Sequence, residues 1–118
     1  MTQLILWLLL AAIHALPAAA FFRPSGLTEL YGLEPDNPLF LLMQHRAALF
    51  LGVFSACVFA AFLPEGRRLA SVIVGISLLG FLFLFWRGGY PVELRTIAIV
   101  DIVGLAIWLG VTVSAYRA

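Results

Sequence analysis

The stretch LFLLMQHRAALFLGVFSACVFAAFL, from Leu39 to Leu63, decides the fold of this chain. It exceeds the roughly 20 residues that an α-helix needs to cross a hydrocarbon core. Only Gln44, His45 and Arg46 interrupt its apolar character strongly. Three further stretches of similar character lie at residues 3–22, 69–86 and 94–116. Of all 118 residues, 64% are hydrophobic and 11% charged, so no material remains for a soluble domain. The sequence therefore predicts an all-α membrane protein with a single domain over 1–118. Short connections favour an antiparallel up-down four-helix transmembrane bundle.

The segment ends are punctuated by residues with mechanical roles. Asn37 followed by Pro38 predicts a helix start, an Asx cap and then a proline whose missing N–H is harmless there. Pro91 predicts the same for the last span, with Glu93 in the favourable first turn of the dipole. Residues 23–32 predict a short interfacial helix stopped by Gly32. Pro64-Glu65-Gly66-Arg67-Arg68 reads as the turn between spans two and three. Leu16-Pro17-Ala18-Ala19-Ala20 resembles a small-residue cleavage site, but Met1-Thr2-Gln3 lacks a basic n-region, so the first apolar run is read as a retained span. The formal charge is +1, with no lysine and no basic tract, which excludes nucleic acid as a partner. Cys57 stands alone among apolar residues and reads as a small buried hydrophobe.

Polar groups in hydrocarbon are costly and mark sites, so their depths matter. His14 lies about 12 Å before the end of span one, His45 about 9 Å into span two and Asp101 about 10 Å into span four, at the helical rise. In an up-down bundle those depths coincide. One pocket is expected, with ligand-binding candidates His14, Gln44, His45, Arg46, Asp101, Glu29, Tyr31, Trp86 and Arg95. Pro17 removes the N–H that would bond to the Ile13 carbonyl and so opens the backbone beside His14. Trp7, Leu10, His14, Pro17 and Phe21 share one face of span one, and Ala98, Asp101, Leu105, Trp108 and Thr112 one face of span four. Ala48, Gly52, Ala56 and Ala60 form a small-residue stripe that would let helices approach or chains associate. The alternative for Gln44-His45-Arg46 is a membrane boundary, with the span starting at Ala47 and Arg46 snorkelling. The alternative for Asp101 is a structural tie to Arg46 or Arg95.

Arg67, Arg68 and Arg117 fall on one side and Arg23, Arg87 and Arg95 on the other, so the positive-inside rule nearly ties. The amino terminus on the first side, with acidic Glu29, Glu34 and Asp36 on the second, favours both termini in the cytoplasm and a pocket that opens outward. The expected location is a bacterial cytoplasmic (inner) membrane, crossed several times.

The strings Leu30-Tyr31-Gly32-Leu33, Leu41 to Phe50 with its Met-Gln-His-Arg-Ala block, and Ala60-Ala61-Phe62 with Pro64, together with Asp101, resemble small bacterial four-helix membrane proteins. The layout is also similar to the DoxX-like proteins, some of which are linked to quinone-coupled redox complexes. That resemblance implies a four-helix membrane fold and few residue roles. Some of the small bacterial proteins bear the name phosphopantetheine adenylyltransferase. Such an enzyme needs a soluble Rossmann-like sheet and a His-x-Gly-His sequence. Here His14 precedes Ala15-Leu16-Pro17, His45 precedes Arg46-Ala47-Ala48, and no glycine-rich phosphate loop follows a strand.

The residues leave four functional readings. The first is a module that binds a lipophilic ligand, a quinone or a lipid, or docks on a redox membrane partner; histidine and Asp101 would hold the head, and Phe50, Trp86 and Trp108 would surround the rest. The second is an intramembrane isomerase or reductase with His14 or His45 as base, Asp101 orienting it and Arg46 stabilising negative charge. The third is a b-type haem held by His14 and His45; zinc has only His14, His45 and Asp101 or Glu29 to draw on. The fourth is a structural homo-oligomer packed through the Ala48 to Ala60 stripe.

Overall fold

A computed structural model describes residues 2–117, apart from the side chains of Leu30, Tyr31 and Glu93. The elements are α1 (Thr2–Ala19), α2 (Ser25–Tyr31), α3 (Leu39–Phe62), α4 (Arg67–Arg87) and α5 (Arg95–Arg117). One-turn 3-10 segments at Pro64–Gly66 and Val92–Leu94 precede α4 and α5. Among the described residues there is no strand. Four of the helices are long and apolar enough to cross a membrane.

The helix ends follow from local chemistry. The Asn37 side-chain oxygen accepts the Leu39 N–H at 2.9 Å, so α3 is capped as its Asn-Pro start requires. The left-handed Gly32 stops α2, its N–H donating to the Thr28 carbonyl at 2.9 Å. Span one ends at Ala19, earlier than the residue 22 expected, because residues 20–22 tighten into successive turns before Pro24 disfavours helix at Arg23. Pro91 does not open α5 directly; the Val92–Leu94 turn intervenes, and the Glu93 side chain lies outside the described residues. At the end of α4, the Gly89 N–H donates to Trp86 and the Tyr90 N–H to the Phe85 carbonyl at 3.0 Å. Gly89 is left-handed, and the Phe85 and Tyr90 rings meet edge-on at 5.6 Å, completing a Schellman ending with its hydrophobic contact. Arg67 turns back on α3, donating to the carbonyls of Ala60 at 2.8 Å and Ala61 at 3.2 Å. Those carbonyls have no partner further along α3, so the guanidinium replaces the missing turn.

Packing is organised as two helix pairs. α1 lies chiefly against α3, and α4 chiefly against α5, with lighter α1–α5 and α3–α4 contacts joining the pairs. Trp7, Leu10, Ala11, His14 and Ala18 form the buried stripe of α1, at helical spacing. Trp7, Leu10 and Ala11 meet Cys57, Ala60 and Ala61 of α3, and Val74, Leu78 and Val111 of the other pair, in one core. Outside that core the large apolar side chains point outward, with Leu41 73% exposed and Ile76 70%. A soluble monomer rarely presents so much apolar surface.

The Ala48 to Ala60 stripe is a contact only in part: Ala60 is buried in the core shared with α1 and Ala56 packs against that core, while Gly52 does not. Gly52 is exposed, and a Cβ built on it meets nothing within 4 Å. The tight positions are Gly75, where a Cβ would lie 2.8 Å from the Trp108 ring, and Gly104, where it would lie 3.0 Å from Ile13. Trp108 is held there by donating to the Ser71 carbonyl at 2.7 Å. Gly75→Val is therefore expected to destabilise the bundle by about 1–3 kcal/mol through overpacking. Gly52→Ala should leave stability unchanged or raise it by up to about 1 kcal/mol through helix propensity. Denaturant unfolding in detergent measures both, and equal losses would contradict this packing.

Candidate functional site

The site is built where α1 ends and α3 and α5 begin. His14 lies five residues before the end of α1, Arg46 seven residues into α3 and Asp101 six residues into α5, so each sits about 7–11 Å from its helix end. α2 covers this region. Leu27 is 1% exposed and anchors α2 against Ala20, Phe40 and Ala47, which positions Glu29 two residues on.

His14, Glu29, Arg46 and Asp101 line one cavity of about 290 Å³, together with Thr96 and the apolar side chains of Phe50, Phe81 and Val100. Ile13 and Pro17 line it too, at the place where the missing proline N–H breaks the α1 ladder. The Arg46 guanidinium sits 4.5 Å from the centre of the Phe50 ring, one helical turn away. That ring lies 5.9 Å from the His14 ring. Arg46 also couples electrostatically to Asp101, whose carboxyl is half-buried. Glu29 pairs with Arg23 at 3.2 Å on the exposed side. The four formal charges thus balance: two carboxylates, two guanidiniums.

His14 is almost wholly buried, and both ring nitrogens are engaged. Nδ1 lies 2.9 Å from the Leu10 carbonyl, which can only accept, so Nδ1 carries a proton. In the neutral ring Nε2 then accepts the Ser77 hydroxyl at 3.0 Å. This bond ties α1 to α4 across the seam between the helix pairs.

Several expected members stand elsewhere. His45 is exposed, because adjacent helical residues point about 100° apart and Arg46 takes the inward direction. Gln44 is half-buried but does not line the cavity, and Arg95 is exposed at the start of α5. Trp86 is 60% exposed beside Phe83, and Trp108 packs on Gly75 in the core, so neither surrounds the cavity. The Tyr31 side chain lies outside the described residues. Ser77, Thr96 and Phe81 are additions. Ser77 is one of two hydroxyls in an apolar span, with Ser71, and a helix tolerates such a group by bonding it to its own backbone, as Ser71 does to Arg68, so the sequence does not single it out.

A haem held by His14 and His45 does not fit this arrangement, since His14 has no unengaged nitrogen and His45 points away from the cavity. Among the described residues, no three His, Cys, Asp or Glu side chains gather in a way that would hold a metal ion. Comparison with protein-family models, curated proteins and solved structures gives no match for this chain.

Nitrogen NMR of the His14 ring should show the neutral form protonated on Nδ1, and a proton on Nε2 would contradict the bond to Leu10. Ser77→Ala should keep that tautomer while costing about 1–3 kcal/mol of stability, because it leaves the buried Nε2 unsatisfied.

Proposed function

We propose that this chain is a multi-pass membrane protein whose antiparallel up-down bundle binds a lipophilic molecule by a neutral polar head. The observation that carries this reading is the cavity that gathers His14, Glu29, Arg46, Thr96 and Asp101 between otherwise apolar helices. Intramembrane ionisable groups are expensive unless they face an interior or a wet space and serve something there. Mostly apolar walls with a few convergent polar groups are the usual makeup of a small-molecule site.

The balance of charge selects the head. An anionic phosphate would bring unpaired negative charge beside Asp101 and Glu29, while the one guanidinium lining the cavity already answers a carboxylate. A neutral head that offers a carbonyl to Arg46 and a hydroxyl to Asp101 or Thr96 uses the donors and acceptors available. Quinones and quinols are molecules of this kind, and the DoxX-like resemblance points to the same class. Docking beside a redox membrane partner is compatible with that role. The outward apolar surface supports insertion in a bilayer, with both termini cytoplasmic on the acidic-loop argument.

Isothermal titration in lipid nanodiscs with a tailless dimethoxy-methyl-benzoquinone tests the reading. Saturable binding is expected, and Asp101→Asn should weaken it by about tenfold, the worth of one charge-assisted hydrogen bond. The absence of saturable binding to the wild-type protein would contradict it.

A further inference from the structure

A second space adjoins the head cavity. A groove of about 650 Å³ runs between α3 and α4, walled by apolar side chains such as Val53, Ile73, Ile76 and Leu84. Gly52 and Gly80 also line it, and a Cβ built on either meets nothing within 4 Å. Its polar groups sit where it meets the cavity: the Ser77 hydroxyl is turned to His14, and Arg46 lies over Phe50. Arg46, Phe50 and Phe81 line both spaces, so groove and cavity share a wall.

Size and direction separate the roles of the two spaces. At about 290 Å³ the cavity sits at the lower edge of the roughly 300–1,000 Å³ that small-molecule sites occupy. With the groove added, the space reaches the top of that range. Between Ile73 and Leu84 the groove follows α4 for about 16 Å. That is close to half of a hydrocarbon core about 30 Å thick. Another apolar hollow, about 210 Å³ beside Ala18 and Leu51, shares no lining residue with the cavity.

Resting on the neutral-head reading above, we infer that the α3–α4 groove holds the hydrocarbon tail of the same ligand. The ligand class is a lipophile with one tail, which leaves the cavity past Phe50 and Phe81 and lies along α4 toward Ile73. Among the described residues, neither the hollow beside Ala18 nor the pocket beside Pro64 shares lining with the head cavity, so a second tail of a phospholipid would have no matching groove there. Between helices in a bilayer, apolar surfaces are held by packing and not by escape from water, so the tail stays in the groove because the bound head tethers it there. Entry is sideways, between α3 and α4.

The test uses carbon-labelled protein in deuterated detergent and a dimethoxy-methyl-benzoquinone with a ten-carbon tail. Filtered NOEs are expected from the tail to the methyl groups of Val53 and Ile73. Gly80→Leu, and Gly52→Leu independently, should remove those NOEs while the tailless quinone still shifts the Thr96 and Asp101 amides. Groove NOEs that persist in both variants, or tail NOEs confined to outward Ile99 and Ile102 of α5, overturn the tail placement and leave the head site standing. Groove NOEs that arise instead from a second, differently labelled copy of the chain overturn it in favour of an oligomer contact. A tailless quinone that shifts no resonance of the wild-type protein overturns the head reading, and the tail placement with it.

Discussion

The bond from Ser77 to His14 is the contact on which the site depends, because it crosses the seam between two helix pairs at the level of the cavity. Without it the buried Nε2 of His14 would lack a partner in apolar surroundings, a cost of about 1–3 kcal/mol. With it, the ring is fixed in one tautomer and orientation by Leu10 on one side and Ser77 on the other. The two pairs are thereby registered without being packed tight along the whole seam. The gap left on the α3–α4 side is the groove, and the gap left between α1, α3 and α5 is the cavity.

Other features of the molecule are consistent with such a seam. Gly104 closes it against Ile13, while Gly75 under Trp108 lets α4 and α5 close within their own pair. At Gly52 and Gly80 the same residue type leaves space, since no side chain from another helix moves in. Arginines serve the opposite end. Arg67 and Arg68 donate to the last carbonyls of α3 and α5, so the cations at that end answer helix termini and keep them from unsatisfied exposure. Near the other end of the bundle His14, Arg46 and Asp101 face a cavity instead, which is why that end carries the functional argument.

Much of this was legible in the sequence, for identifiable reasons. Long apolar stretches gave four helices long enough to cross a membrane, and Asn37-Pro38 and Gly32 set boundaries by chemistry confined to a few residues. The inward faces of α1 and α5 follow from helical spacing, so His14 and Asp101 could be placed on facing sides. What a single sequence does not fix is rotation. His45 and Arg46 are neighbours, and only packing decides which turns inward; Ala47 and Phe40 are buried, and that carries Arg46 to the cavity and His45 out. Nor does composition say which small residue is filled by a neighbour. Gly75 is covered because Trp108 is anchored to Ser71, a contact across 37 positions that no local pattern announces. Ser77 was silent for the same reason, its partner being 63 residues away.

The central claim is that the space beside His14, Arg46 and Asp101 exists to hold one lipophilic molecule. Native mass spectrometry of the protein, extracted gently from its own host membrane, tests it most directly because it weighs whatever remains bound. The account predicts a single defined adduct, uncharged in composition and stoichiometric with the chain, that disappears in Asp101→Asn. A bare chain, or one carrying only a spread of ordinary phospholipids that Asp101→Asn leaves unchanged, would contradict it.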